Sequence, residues 1–545
     1  MLFALATYFG YGLGLCLVAL VIHVLSQPDP YSFSLDTYFR FRNWSREVSL
    51  RPNSVVYPES VADVVAVVKE TLAAGSSLRV VGAGHSWNDA MASSTTMVSL
   101  DRMDAILNIV WLDNGDAFAS DDDGVLSADD SLFDSDDDSL GVFVPDGVGD
   151  DLPVPEWSEA SHELDALLLA ASDLPPCSIH SADAVAHVTV EAGIRFQALQ
   201  DALAEQGLAF AALPSVAAQS AGGLIATGTH SNGPGHQNLS NYVAAVEIVD
   251  GAGNVRVVTN GPSCDDARWF DAVRLSLGSL GIITKITFEL VPLFKLTKIE
   301  HPVSWDYVLD HVDELIESEE FFKLWTFPRT GVTQLSVYRR TDPSVPSTTG
   351  LASYLENVVI QQYVVNAVLW ATSWFPSVIG PTMRCLTAIL GERVAVDRSD
   401  ALFNIPVLIR HFELEIAFSV ESARQVLDDL LAELEASDLA FNMPLEIRFV
   451  AADQLWLSNN YSRAAIHITA CLYGLDPKPY YDLFEAFAAQ RGGRPHWGKY
   501  FTHDAAQLAA LYPRWDEFQA ARAAFDPHHV FANDWSSRVL GEPRA

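Results

Sequence analysis

The chain beyond residue 50 alternates between segments with a helical period and segments with a strand period. A serine followed three residues later by an acid, Ser60 and Asp63, is typical of a helix start. Apolar residues spaced three and four apart continue from there as one stripe: Val61, Val64, Val65, Val68 and Leu72. Gly75 would end this helix, and the apolar run at 78–81 predicts a strand. The pattern indicates an α/β unit.

Two later segments have the alternation of strands. Residues 277–292, LGSLGIITKITFELVP, form a glycine turn followed by a strand-like apolar run. Residues 444–450, PLEIRFV, place Glu446 and Arg448 on one face and apolar side chains on the other. A salt bridge on a sheet face is the ordinary explanation of such a pair.

The first residues form an uncharged apolar segment. Residues 2–25 contain no Asp, Glu, Lys or Arg. At about 1.5 Å per residue, a helix of this length crosses a hydrocarbon layer of about 30 Å. We therefore predict a single-pass membrane anchor at 2–25. A cleaved signal peptide is the alternative, but a basic residue near the start and a convincing cleavage site before Gln27 are both missing.

The orientation of this anchor stays open. Three arginines on its C-terminal side, at 40, 42 and 46, favour a cytosolic catalytic part. Three glycosylation sequons, at 43, 238 and 460, are compatible with a lumenal one. The expected location is the membrane of the endoplasmic reticulum or another membrane of the secretory pathway.

Two further segments stand apart from the α/β pattern. Residues at about 112–180 are acidic and low in complexity, which predicts a disordered insertion that a surface loop tolerates. Its carboxylates lack EF-hand spacing, so no metal site is predicted. Residues 358–390 are apolar but interrupted by Pro376 and Pro381. They predict a helical pair that faces a membrane or belongs to a substrate domain, and not a second span.

Composition narrows the class of protein. With 545 residues, 49% of them hydrophobic, the chain has room for two or three domains. The net charge of −37 argues against a nucleic-acid partner. The cysteines have neither C-x-x-C nor zinc spacing, and no disulfide framework is expected: Cys16, Cys177, Cys264, Cys385 and Cys471.

Glycine-rich turns supply the candidate chemistry. After the strand at 78–81 the chain reads VVGAGHS, where Gly82 and Gly84 permit a close backbone approach to a phosphate. A dinucleotide fingerprint would need a third glycine where Trp87 stands. Alone, His85 would be a turn histidine with local hydrogen bonds. A second stretch, 213–235, combines five glycines with hydroxyl side chains suited to a pyrophosphate or a flavin edge, or to close packing against a helix.

Together these stretches resemble the FAD-linked oxidases of the vanillyl-alcohol oxidase class, and within it the L-gulonolactone and aldonolactone oxidase family. The likeness runs from about residue 41 to residue 535, apart from the insertion. It rests on NWSREVSLRPNSVVYPES, VVGAGHS, VEAGIRF, TGTHSNG, FFKLWTFPRT, PLEIRFVAADQLWLS, GGRPHWGK and FDPHHVFANDW. In TGTHSNG, Ser231 and Asn232 depart from many relatives, which puts substrate or oxygen access in doubt.

The resemblance implies FAD, bound covalently through His85 to the 8α-methyl carbon of the flavin. The first turn would contribute Val81, Gly82, Ala83, Gly84, His85 and Ser86 to the cofactor site. The second stretch would contribute Ser220, Gly223, Thr227, Gly228, Thr229 and His230. The third would contribute Gly281 and Ile283.

The resemblance also implies a reaction, the oxidation of an aldono-1,4-lactone at C2 with O2 as acceptor, giving ascorbate or an analogue and hydrogen peroxide. Arg448 would orient the lactone and stabilise oxyanion character, and Glu446 would hold hydroxyls or accept the proton. Lys499, otherwise an ordinary solvated lysine, would stabilise the reduced flavin. A sugar alcohol oxidase, a lactone dehydrogenase with another acceptor, and a membrane flavoprotein without turnover are the alternatives.

The expected architecture is α+β. A two-subdomain FAD-binding fold of the vanillyl-alcohol oxidase type would take residues 41–295, and the C-terminal segment 490–545 would return to it. A substrate (cap) domain would take residues 296–489 and cover the flavin. The expected partners are a small lactone, O2 and, through the N-terminal helix, a membrane.

Overall fold

The computed structural model describes residues 34–35, 40–112, 184–261, 264, 266–348, 350, 355–405 and 407–542. The predicted anchor at 2–25 and the predicted insertion beyond residue 112 lie outside these ranges. The described residues belong to one unit of dense contacts.

The strands, in chain order, are β1 Ser34–Leu35, β2 Phe41–Arg42, β3 Ser49–Leu50, β4 Ser54–Val56, β5 Leu78–Val81, β6 Thr96–Ser99, β7 Ile106–Trp111, β8 Ala186–Glu191, β9 Leu208–Ala209, β10 Val243–Val249, β11 Val255–Thr259, β12 Ile282–Pro292, β13 Lys295–Ser304, β14 Phe321–Phe327, β15 Val332–Thr341, β16 Arg393–Arg398, β17 Phe412–Ser419, β18 Leu445–Val450, β19 Ala465–Leu472 and β20 Arg494–Pro495.

The α-helices are α1 Val61–Ala73, α2 Phe196–Glu205, α3 Ala221–Ala226, α4 Phe270–Val273, α5 Trp305–Ser318, α6 Val365–Ser373, α7 Ile379–Thr387, α8 Ser399–Phe403, α9 Ala423–Ala436, α10 Lys478–Ala489, α11 Ala505–Leu511, α12 Trp515–Phe525 and α13 Asp534–Leu540. A π-helix spans Leu355–Val364, and short 3-10 turns lie at Leu239–Tyr242, Ala267–Trp269, Pro376–Val378 and Val420–Ser422.

The first α/β unit forms as its sequence predicts. The Ser60 side chain accepts a hydrogen bond from the backbone N–H of Asp63 and caps α1. Val64 and Val68 from the predicted stripe are fully buried. β5 covers the predicted residues and pairs in parallel with β6, which also pairs in parallel with β4. Gly82 therefore lies directly after a buried strand of this three-stranded sheet.

A second, antiparallel sheet has the order β11-β10-β12-β8-β7, with β9 on the end of β12. Its apolar side chains share one core with α1, α2, α3 and the C-terminal helices α11, α12 and α13. β12 begins at Ile282, as the strand-like run predicts, and the chain passes into the third sheet between Pro292 and Lys295.

The third sheet has eight strands in the order β16-β13-β15-β14-β18-β19-β17-β20, and every pairing in it is antiparallel. One face packs against α5, α9 and α10 in a separate apolar core. β20 adds Arg494 and Pro495 to the edge of this sheet before the chain reaches α11. Parallel and antiparallel sheets with segregated helices confirm the predicted α+β class.

The second apolar segment, predicted at 358–390, forms a helical hairpin between β15 and β16. The π-helix and α6 run to Ser373, and α7 follows the 3-10 turn at Pro376–Val378. Within the described ranges, no helix has both the length and the apolar character needed to cross a membrane.

Candidate active site

The first glycine turn packs directly against the second glycine-rich stretch. A Cβ on Gly82 would lie 2.1 Å from the Ser220 hydroxyl oxygen, so only glycine fits there. Gly84 has a φ of +69°, a conformation that favours glycine. Gly82 is only partly buried and Gly223 is exposed, so both turns present backbone to solvent near the end of β5, as a pyrophosphate site requires.

His85 lies in an aromatic group beside this turn. Its ring stacks on Trp44, with centroids 5.4 Å apart and planes 19° from parallel. The Trp44 backbone N–H donates to Gly84 O at 2.8 Å, which ties the indole to the turn. His411, from the segment before β17, meets Trp44 and Trp87 at 5.6 Å each. We call the third sheet and its helices the cap, and residues 81–86 the FAD-binding turn. The predicted flavin-linking histidine is therefore half-buried where the cap meets the FAD-binding turn.

The second stretch folds as the short helix α3 and the loop that follows it. Ser220 caps the helix by accepting from Gly223 N, and the Thr227 hydroxyl donates to Gly223 O at 3.2 Å. Gly228 has a φ of +70°. Beyond it, Thr229 and His230 are buried. These residues continue from the turn at Gly82 toward the cap sheet.

Gly281 and Ile283 have a packing explanation. A Cβ on Gly281 would meet Val249 O at 2.5 Å and the Ile248 side chain at 2.7 Å. Ile283 pairs with Ile248 between β10 and β12. Gly281 and Ile283 therefore contact the core of the second sheet. The first and second glycine-rich stretches instead contact each other.

The turn around Lys499 joins the FAD-binding turn to the cap. The Trp87 backbone N–H donates to Gly498 O at 2.7 Å, and the Asn88 amide donates to Trp497 O at 2.7 Å and Lys499 O at 2.8 Å. The Lys499 ammonium lies 3.8 Å from the centre of the Trp87 ring. Trp87 follows His85 by two residues in the chain. These contacts therefore fix Lys499 beside the FAD-binding turn.

The polar face of the cap sheet carries the remaining predicted catalytic residues. Alternate positions of four strands put charged and polar side chains on the face opposite the apolar core. Lys323 on β14 lies across from Arg448 on β18, and Arg448 lies across from His467 on β19. We call this set the charged face: Lys323, Glu413, Glu415, Glu446, Arg448, His467, Thr469 and Cys471.

Arg448 is at the centre of the charged face. Its Nη2 donates to Glu415 Oε2 at 2.8 Å and to the Thr469 hydroxyl at 3.1 Å. Its Nε lies 3.7 Å from Glu446 Oε2 and is buried without a hydrogen-bond partner. Burial lowers the pKa of Arg448, but Glu446 and Glu415 outweigh burial and raise it, so the guanidinium stays charged. A buried donor of this kind is available to a ligand oxygen.

Glu415 organises the other side of Arg448. Besides Arg448 and Thr469, it contacts His230 Nε2 at 2.6 Å and His467 Nδ1 at 2.8 Å, and its side chain is almost fully buried. Burial raises the pKa of Glu415, but Arg448 and His230 hold it well below its usual range. Four partners on one carboxylate fix the orientation of the guanidinium.

Glu446 is ionised at neutral pH. Burial raises its pKa, but the charges of Arg448 and Lys323 outweigh burial and hold the pKa at about 2. The Lys323 ammonium lies 3.0 Å from Glu446 Oε1. Glu446 therefore offers a hydrogen-bond acceptor between two fixed cations.

Lys499 has its own counter-ion. Its ammonium lies 2.6 Å from Glu413 Oε1, and His411 Nε2 lies 3.4 Å from the other oxygen of Glu413. Burial raises the pKa of Glu413, but Lys499 and His411 lower it overall. With Lys499 added, the three carboxylates of the charged face are paired with three cations.

Two groups of side chains on this face have donor atoms close enough for a metal ion: His230, Glu415 and His467, and His411, Glu413 and Cys471. In the first group Arg448 is bonded to Glu415, and in the second Lys499 is bonded to Glu413. Because an adjacent cation already satisfies each carboxylate, the geometry assigns no metal role to either group.

Sequence reasoning predicted two of the eight residues of the charged face, Glu446 and Arg448, and missed the others. Lys323, Glu413, Glu415, His467 and Thr469 are essential to its geometry but were not among the predicted site residues. The same signal that found Glu446 and Arg448 was present: polar residues at every second position of FELEIAF and AIHITACL, between buried apolar ones. Which strands lie side by side, however, is a property of the fold.

Comparison with known sequences gives matches along most of the chain. The profile of the D-arabinono-1,4-lactone oxidase family matches residues 286–539, and that of an FAD binding domain matches 52–119 and 159–259. L-gulono-1,4-lactone dehydrogenase of Mycobacterium tuberculosis is 27% identical over 501 residues, covering 92% of this chain and 98% of the relative. L-gulonolactone oxidase of Scyliorhinus torazame is 24% identical over 510 residues, with 92% and 98% covered. D-arabinono-1,4-lactone oxidase of Eremothecium gossypii is 24% identical over 580 residues, with 91% and 94% covered.

Among solved structures, cholesterol oxidase from B. sterolicum superimposes with a TM-score of 0.67 at 17% identity, covering 92% of this chain and 96% of that one. At this identity the likeness shows the fold. The matched FAD binding domain and these relatives define an FAD-dependent oxidoreductase. Along more than nine-tenths of its length the chain is similar to aldonolactone oxidases and dehydrogenases, in agreement with the resemblance of its motifs.

Proposed function

We propose that this enzyme oxidises an aldono-1,4-lactone of the L-gulono type at C2, with O2 as the electron acceptor. The observation that carries the proposal is the buried Nε of Arg448, which makes no hydrogen bond, in a guanidinium held between Glu446 and Glu415 on the charged face. A lactone presents several hydroxyls and a carbonyl, which match a face where donors and acceptors alternate.

FAD supplies the hydride acceptor for this reaction. The carbon C2 of the lactone loses a hydride, its hydroxyl loses a proton, and the 2-keto lactone tautomerises to the enediol of ascorbate or an analogue. O2 then takes up the two electrons and two protons as hydrogen peroxide. The chain's task is to orient C2, to stabilise the oxygen as it loses its proton, and to balance charge on the reduced cofactor.

Arg448 is suited to stabilise the substrate oxygen as it loses its proton. Its guanidinium is charged, buried and oriented by Glu415, so it needs no reorganisation as negative charge develops on the substrate oxygen. With a pKa of about 2, Glu446 accepts hydrogen bonds from lactone hydroxyls and is a poor acceptor for the proton. Burial lowers the pKa of His467 to about 3 and that of His496 to about 4, so both rings are neutral.

Lys499 is suited to balance charge on the reduced cofactor. It lies at the junction of the FAD-binding turn and the cap, over the Trp87 ring, and is half-buried against Glu413. A fixed ammonium there favours negative charge on a reduced ring. His85, beside Trp44, would bind the flavin covalently and hold the ring at this junction.

A second candidate function differs in the electron acceptor. Because the relative from Mycobacterium tuberculosis is named a dehydrogenase, a lactone dehydrogenase that passes electrons to another acceptor is the alternative. Oxygen uptake with L-gulono-, L-galactono- and D-arabinono-1,4-lactone, beside xylitol, tests both substrate and acceptor. We expect uptake with a lactone and peroxide formation. Lactone turnover only with an added artificial acceptor would favour the dehydrogenase, and turnover of xylitol alone would favour a sugar alcohol oxidase.

The covalent link is tested separately. Acid precipitation should leave flavin on the wild-type protein, whereas His85→Ala should release it and still bind FAD through the contacts around Gly82 and Ser220. His187→Ala, which changes a histidine on β8, is the matched control and should retain the flavin. Complete loss of flavin from the wild type on precipitation would refute the histidyl link.

We further propose that residues 2–25 anchor the enzyme in a membrane of the endoplasmic reticulum or another part of the secretory pathway. The support is the uncharged, apolar composition of the segment. Full-length protein should remain in the membrane pellet after alkaline carbonate washing. Release of the intact chain into the supernatant would contradict the anchor.

A further inference from the structure

The helical hairpin at 355–391 differs from the rest of the surface in both charge and exposure. In a chain with 70 acidic residues, positions 357–391 contain no Asp or Glu, and Arg384 is their single charged residue. Of the exposed large apolar side chains in the described part of the chain, most lie in or beside this hairpin: Leu355, Ile360, Val364, Trp374, Phe375, Val378, Ile389 and Val394.

The hairpin is anchored on one side only. Leu369 of α6 packs against Ile409 and Tyr473, and Met383 and Ile379 of α7 are buried. At the turn between the helices, which we call the tip, Trp374 and Phe375 are 68% and 66% exposed. Two adjacent aromatic side chains thus face solvent at the tip of a hairpin whose other residues include a packed set.

We propose that this tip is an interfacial membrane contact, in which Trp374 and Phe375 enter the headgroup region of a lipid bilayer. Aromatic rings are favoured at that depth, and the exposed Arg384 of α7 has the charge that lipid phosphates attract. The contact is distinct from the proposed anchor at 2–25, because it lies in the cap and depends on different residues.

Charge and shape favour lipid over the other occupants. Two copies, each with a net charge of −37, would repel each other on approach. The tip projects, whereas a stable protein interface needs a broad surface of about 800 Å² on each partner. A fluid bilayer accommodates two projecting rings and is indifferent to their exact outline.

The hairpin also borders the site. Gln362 Oε1 accepts a hydrogen bond from Leu408 N at 3.0 Å. The segment that starts there continues to His411, whose carbonyl accepts from the Trp87 indole at 2.9 Å. Residues 408–411 therefore connect the start of the hairpin to the FAD-binding turn.

Fluorescence quenching by brominated lipid tests the contact in the full chain. The protein is placed in nanodiscs of phosphatidylcholine and phosphatidylserine, with and without bromine on the phosphatidylcholine acyl chains. Residues 2–25 contain no tryptophan, so the anchor does not contribute to the signal. We expect a quenched emission component that is lost in Trp374→Phe.

Trp111→Phe is the matched control, because Trp111 is 60% exposed on β7, away from the hairpin. It should keep the quenched component, and both variants should oxidise lactone like the wild type, since neither residue belongs to the charged face. Equal quenching in wild type and Trp374→Phe, or none in either, would overturn the proposal. A bilayer-independent shielding of Trp374 that rises with protein concentration, or disappears when 2–25 are deleted, would identify a second copy or the N-terminal segment instead and would overturn it too.

Discussion

Arg448 shows how a single side chain depends on its neighbours. Its position on β18 sets the direction of the side chain, but Glu415 on β17 and Thr469 on β19 set the angle of the guanidinium. A lysine in its place would keep one charge and lose the planar pair of donors. Substitution of Arg448 by lysine therefore separates the effect of its charge from the effect of its planar geometry.

We expect Arg448→Lys to slow anaerobic flavin reduction by lactone by about tenfold or more, and Arg448→Ala by about 100-fold, because the lost donor acts on charge that develops in the transition state. Stopped-flow spectroscopy isolates this step from the reaction with oxygen. Arg424→Ala, which changes an exposed arginine on α9, should reduce at the wild-type rate. A weaker apparent lactone affinity at an unchanged limiting rate would make Arg448 a uniform binding group.

Glu47 provides a residue-scale prediction about pH. Burial raises its pKa to about 7, and Oε2 of Glu47 is buried without a hydrogen-bond partner. The folded state thus favours the neutral acid more than the unfolded state does. Its contribution to stability is present below the ordinary pKa and is lost as the pH rises through about 7.

Glu47→Gln, which mimics the neutral acid, should therefore match the wild type at about pH 4.5 and exceed its stability at about pH 8. A gain of about 2 kcal/mol is expected after allowance for partial exposure. Thermal unfolding at both pH values measures this, with Glu435→Gln on the exposed side of α9 as the control. An equal effect of Glu47→Gln at both pH values would contradict the assignment.

At the scale of elements, the sequence predicted those parts of the site that local pattern determines. The cap at Ser60, the strand at 78–81 and the alternation around Arg448 each follow from a few adjacent residues. The pairing of β17 with β19 and of β14 with β18 brings Glu415 and Lys323 to Arg448 across long separations in the chain. No local pattern specifies those neighbours, so only the structure shows which side chains surround Arg448.

The contact between the two glycine-rich elements makes a prediction of its own. Gly82→Ala would place a methyl group on the Ser220 hydroxyl, and relief of that overlap should weaken FAD binding by about 1–3 kcal/mol. The measurement belongs in the His85→Ala background, where FAD is held without a covalent bond. Adding Ser220→Ala should recover part of the loss.

Gly391→Ala is the control for that experiment, since open space surrounds Gly391. It should bind FAD like the background protein. Normal FAD affinity in Gly82→Ala would show that the two turns move apart easily and that their close fit does not shape the cofactor site.

At the scale of the whole molecule, two cores meet at one polar surface. The FAD-binding core includes the C-terminal helices, and the cap core lies behind the eight-stranded sheet. The charged face, Lys499 and His85 lie where these two parts contact each other. Motif resemblance predicted the family and the cofactor because the motifs themselves line this junction, although they are far apart in the chain.

The central claim is that a lactone reduces the flavin at this junction. Its most direct measurement is anaerobic mixing of the purified full chain with L-gulono-1,4-lactone while the visible flavin absorbance is recorded, followed by admission of oxygen. The account predicts bleaching of the flavin by the lactone, return of the absorbance with oxygen, and peroxide in proportion to the lactone consumed. A flavin that stays oxidised with L-gulono-, L-galactono- and D-arabinono-1,4-lactone, in protein that binds FAD normally, would contradict it.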